Sequence, residues 1–108
     1  MQAPAQALVA FFEQVAQRNE VQLDKLRREP RFAVRPECWC FTLPDLHAFL
    51  QRQDAVFRSV DYTQFRKALF GSPINRAIAP YGAEITIADN RGKVDQSSYA
   101  LVWTKHEG

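Results

Sequence analysis

Two alternating stretches in the last quarter of the chain constrain its fold more than anything else in it. Ala83, Ile85 and Ile87 alternate with Glu84, Thr86 and Ala88, and Tyr99, Leu101 and Trp103 alternate with Ala100, Val102 and Thr104. A period of two belongs to a strand with one buried face. Asp89-Asn90-Arg91-Gly92 follows the first stretch, and Gly92 is suited to a positive φ after a type I turn. A tight turn would pair 83–88 with the polar 93–98 and strand the apolar end. A long or bulged loop over 89–97 instead sets Ile85 and Ile87 beside Tyr99 and Leu101. That register is expected, because it removes more apolar surface from water.

The residues just before this hairpin read as helix, stop and second helix. Asp61 is an N-cap and Gln64, three residues on, completes a capping box, so a helix is predicted over 62–70. Phe65 and Leu69 lie four apart beside Tyr62 and Ala68, while Gln64, Arg66 and Lys67 point elsewhere. Gly71 is expected to stop the helix in a left-handed conformation. Ser72 and Pro73 read as N-cap and first residue of a short helix through Ile74, Ala77 and Ile78. Pro80 disfavours helical geometry at Ala79 and limits that helix to about two turns.

Toward the N-terminus, Leu8, Phe12, Val15, Leu23 and Leu26, widened by Phe11 and Ala16, fit one amphipathic helix from Pro4 to about Arg27 if Asn19 is tolerated within it. A break at Asn19 is the alternative. Pro30 and Pro36 then bracket Phe32 to Val34. In 37–42 the alternation puts Cys38 and Cys40 on one face and Trp39 and Phe41 on the other, as in a strand buried on both sides. A C-x-C pair with His47 would give a soft metal three ligands, but closed zinc sites take four, and the remaining histidine is His106 near the end of the chain. A Cys38–Cys40 disulfide would be strained. Core packing of the cysteines, and no metal, is the expectation. Thr42 as N-cap and Asp45 in the first turn open a helix whose buried face is Leu46, Phe49 and Leu50. Val56 and Phe57 in the following connector need cover.

With 108 residues, 46% of them hydrophobic and 24% charged, the chain is expected to be one domain over 1–108. Its expected class is α+β, three or four helices with a small antiparallel sheet ending in a C-terminal β-hairpin. The longest apolar run, Ala7 to Phe12, is far too short to span a bilayer. No basic start leads into an apolar secretory segment, so a cytoplasmic protein without membrane contact is expected.

Function is narrowed by what the motifs lack. No nucleophile elbow, glycine-rich phosphate loop, paired-histidine helix or carboxylate cluster surrounds the serines, cysteines or histidines, so neither catalysis nor a cofactor is expected. Lys25, Arg27, Arg28, Arg31 and Arg35 form the densest basic cluster, which reads first as a solvated helix end. Phe11, Phe12, Phe57, Tyr81, Tyr99 and Trp103 are many large groups for a core this size, and some are expected to form an interface. The leading reading is therefore a non-catalytic binding module, acting by protein–protein contact or as a small homo-oligomer. The alternative rests on element order. Helix, short strand, helix, helix and terminal hairpin resembles the winged-helix arrangement, which implies nucleic-acid binding. The recognition helix would be 62–70, presenting Thr63, Gln64, Arg66 and Lys67, or 73–79, presenting Asn75 and Arg76. Arg91 and Lys93 at the hairpin tip would meet phosphates.

Overall fold

Asn19 decides how the chain begins. In the computed structural model, which describes residues 3–89, 92 and 97–103, the N-terminal apolar stripe is two helices, α1 (Pro4–Ala16) and α2 (Glu20–Arg27). The single helix to Arg27 is thereby corrected. Asn19 caps α2, its side-chain oxygen accepting from Gln22 N–H at 3.1 Å, which is a better use of asparagine than a helix interior. Arg18 takes a left-handed φ of 61°, a conformation that costs a non-glycine residue free energy. Compensation comes from its side chain, which donates to the Pro36 carbonyl at 3.0 Å and lies 4.3 Å from the Trp103 ring centre. The Trp103 indole in turn donates to the Ala16 carbonyl at 3.0 Å. This turn lets Leu23 and Leu26 reach the core that Leu8, Phe12 and Val15 enter from α1.

The remaining elements are β1 (Ala33–Val34), β2 (Cys38–Thr42), α3 (Leu43–Gln53), α4 (Tyr62–Gly71), α5 (Ile74–Ile78), β3 (Ala83–Asp89) and β4 (Ser98–Trp103). The described α-helices thus number five rather than three or four, because the first stripe divides. The strands form one antiparallel sheet in the order β1-β2-β4-β3. The hairpin register is the expected one, with Ile85 opposite Leu101 and Ile87 opposite Tyr99, and a bulge between Ile87 and Asp89. Gly92 has the positive φ expected of it, 81°. The rest of the expected turn, at Asn90 and Arg91, lies outside the described residues. Across the sheet, Trp39, Leu101 and Ile85 form one inward row and Phe41, Tyr99 and Ile87 the next. Cys38 and Cys40, on the opposite face, are half-buried, so β2 is fully covered on one side and not on both.

Helix starts follow the capping chemistry. At α3 the Thr42 hydroxyl accepts from Asp45 N–H at 3.4 Å and donates to its carboxylate at 2.9 Å. At α4 the capping box closes in both directions, Gln64 N–H to Asp61 at 2.8 Å and Asp61 N–H to the Gln64 side chain at 3.1 Å. The stop is different from the expected one. Gly71 remains in α4, and Ser72 leaves the helix with an extended backbone while its hydroxyl donates back to the Ala68 carbonyl. Pro73, not Ser72, occupies the N-cap of α5. Beyond Ile78 the chain tightens into a 3-10 turn, Ala79–Tyr81, and Gly82 at φ 74° swings it into β3, a conformation that favours glycine.

Trp39 is the centre of the core, its ring contacting Phe11, Phe12, Phe32 and Phe41 at centroid separations from 4.5 to 6.0 Å. Its indole N–H is buried with no hydrogen-bond partner among the described residues. Phe11 and Phe12 are buried within their own chain, as is Phe57 in a 3-10 turn after α3. Tyr81 is exposed and Trp103 half-buried. Ile87, expected in the core, is also exposed. No helix among the described residues is long and apolar enough to cross a membrane. Phe65 is fully buried beneath α4, so Phe65→Ala is expected to lower unfolding free energy by about 3–5 kcal/mol in chemical denaturation. A loss under about 1 kcal/mol would remove α4 from the core.

Candidate functional site: an apolar groove beside strand β3

The inward rows of the sheet lose their cover as they approach β3. In the row Phe41, Tyr99, Ile87, fractional exposure rises from 3% to 8% to 52%. The cause is placement. α1 sets Phe11 and Phe12 on Trp39 and Phe41 of β2, and α3 packs on β2 as well, whereas α4 ends at Gly71 and α5 is a short helix that leans on the middle of β3. The gap between the C-terminal end of α4, α5 and the inner face of β3 is an open groove of about 610 Å³. Its floor is Phe41, Leu43, Leu69, Ile85 and Tyr99, and Phe70 and Ile87 stand at its rim. Phe70 is 57% exposed. Exposed singly, such residues are ordinary, but two flanking a continuous apolar floor make this groove the candidate site.

Asn75 closes the sheet beside the groove. Its amide donates to the Ile85 carbonyl at 3.3 Å and its oxygen accepts from Ile85 N–H at 2.7 Å. These are the two bonds that the peptide groups of a neighbouring strand would make, so a side chain completes the ladder at the middle of an edge strand. Natural sheets guard exposed edges by such cover, since an open ladder recruits other chains.

The residues proposed for nucleic acid are not all free for that task. Gln64 is held in the capping box, and Asn75 is committed to Ile85. The Arg66 guanidinium lies 5.8 Å from the Tyr62 ring centre. Lys67 and Arg76 make no ion pair or hydrogen bond among the described residues, and Lys67 stands one turn before Phe70 on the exposed side of α4. Arg76 lines the groove. Arg91 and Lys93 lie outside the described residues. The basic cluster after α2 is largely neutralised: Arg27 meets Glu20 at 3.8 Å, Arg28 meets Asp24 at 3.0 Å and Arg31 meets Asp45 at 3.4 Å. Sequence reasoning found the cations but missed Phe70 and Ile87 as surface, because a helix stripe and a strand alternation do not say where the opposing layer ends.

No cluster of three or more His, Cys, Asp or Glu suited to a metal occurs among the described residues. His47 Nε2 lies 2.7 Å from the Val60 carbonyl, and its ring packs on Phe65. Burial pushes the Cys40 thiol above its ordinary pKa, helped by the neighbouring Cys38 and opposed by Arg35. Compared with models of protein families, with curated proteins and with solved structures, the chain matches none.

Asn75→Ala removes both edge bonds while leaving Ile85 open to water, so a loss of about 1–2 kcal/mol and faster amide exchange at Ile85 are expected. Unchanged exchange at Ile85 would mean that the bonds do not form in solution.

Proposed function

We propose that the protein is a non-catalytic binding module that engages another protein through the groove between α4, α5 and β3. The observation that supports this most strongly is the apolar floor left uncovered beside Phe70 and Ile87. Protein interfaces concentrate their energy in a few aromatic and aliphatic anchors seated in such depressions and ringed by polar residues.

A second reading is favoured by one specific observation. β2 is followed by α3, α4 and the short α5, then by the hairpin β3–β4, and β2 pairs with β4, an order like that of a winged helix with one added short helix. In that reading α4 would be the recognition helix, with Lys67 and Arg66 toward DNA. Phe70 on the same helix argues against it, since an exposed phenylalanine gains little from a phosphate backbone.

A photo-crosslinking residue placed at position 70 in living cells, with position 58 as control, separates the two readings when combined with anisotropy on random duplex DNA. Expected are a discrete protein adduct from position 70 that is lost with Ile87→Glu, and no DNA binding at about 50 mM salt. DNA binding with a steep negative salt slope, weakened by Arg66→Ala/Arg76→Ala and without a position-70 adduct, would replace the first reading by the second.

A further inference from the structure

We infer that the groove's occupant is an acidic, amphipathic helix of a partner protein, its apolar side chains seated between Phe70 and Ile87 and its flanking carboxylates meeting Lys67 and Arg76. This deepens the interaction reading above and rests on it.

The mode of binding follows from Asn75. Its side chain already satisfies the Ile85 N–H and carbonyl at 2.7 and 3.3 Å, and it stands on α5, whose Ile74 and Ile78 are locked in the core. A strand adding to β3 would need the place that α5 holds. An extended segment laid over the apolar floor instead would leave its main-chain groups facing side chains that cannot bond them. A helix satisfies its own main chain and offers an apolar stripe, so it is the form that a groove of this kind accepts.

The chemistry of the flanks follows from charge. Lys67 lies one turn before Phe70 on α4 and Arg76 stands on the α5 side, and neither has an acidic partner among the described residues. Arg76 in the lining and Lys67 outside the Phe70 rim favour carboxylates on either side of an apolar anchor. A second copy of the chain is a poor occupant. Among the described residues no helix exposes more than one large apolar side chain, Val21 on α2 and Phe70 on α4, where a groove-filling helix needs two or three.

The test is a displayed library of random peptides about 16 residues long, roughly four helical turns, selected on the full chain. Recovered peptides are then titrated by anisotropy against the wild type, Phe70→Glu and Lys67→Glu/Arg76→Glu. All three positions are exposed, and circular dichroism verifies that the variants fold. Expected are net-acidic peptides with apolar residues spaced by three and four, weakened about tenfold or more by Phe70→Glu and by the double reversal. Neutral or basic peptides insensitive to the double reversal would overturn the acidic partner. Peptides with apolar residues at every second position, which shift the Ile85 amide and Asn75 side-chain resonances, would overturn the helical mode. Both of those results would leave the interaction reading standing if Phe70→Glu still abolishes binding. Recovery of no Phe70-dependent peptide would sink the inference and that reading together, and a dimer in light scattering that Ile87→Glu dissolves would put a second copy in the groove and overturn the inference.

Discussion

Everything in this molecule leans on the pairing of β4 with β2, two strands separated by about half of the chain. Leu101 sits between Trp39 and Ile85, and Tyr99 between Phe41 and Ile87, so the last strand supplies the middle of both inward rows. Without β4 the hairpin has no sheet to join, and Trp39 loses the neighbour that completes its floor. The pairing is non-local and carries a loop-closure cost that only the apolar rows can offset. The Trp103 indole bonded to the Ala16 carbonyl fastens the same strand to the C-terminal end of α1.

The groove is a consequence of that architecture. Helices cover the inner face over Trp39, Phe41 and Leu101, and the outer end of that face, at Ile87, lies beyond them. α5 contributes Ile74 and Ile78 to the core and then ends at a proline-containing turn. It is long enough to place Asn75 against Ile85 and too short to roof Ile87. Cover of the edge and exposure of the face thus have one cause, the length and placement of α5.

Much of this was legible in the sequence, for reasons that differ by element. Asp61 with Gln64, and Thr42 with Asp45, announce helix starts because capping is decided by residues a few positions apart. The hairpin register was readable because only one pairing buries both apolar strands on the same face. The break at Asn19 was less legible, since its stability depends on Arg18 reaching Pro36 and Trp103, contacts that no local pattern encodes. The stop at Ser72 in place of Gly71 was decided by a hydroxyl finding the Ala68 carbonyl. The candidate site was the least legible part. Asn75 reads as a surface asparagine suited to a base edge until Ile85 is placed beside it, and Ile87 reads as core until the length of α5 is known.

The most direct measurement is solvent accessibility of individual methyl groups by NMR, using a neutral soluble gadolinium chelate on the full chain. An uncovered groove predicts strong relaxation enhancement at the Ile87 methyls and little at those of Ile78 and Leu101, which the core encloses. Ile87 methyls as protected as those of Ile78 would mean that the floor is covered in solution, and the groove and the binding role built on it would be contradicted.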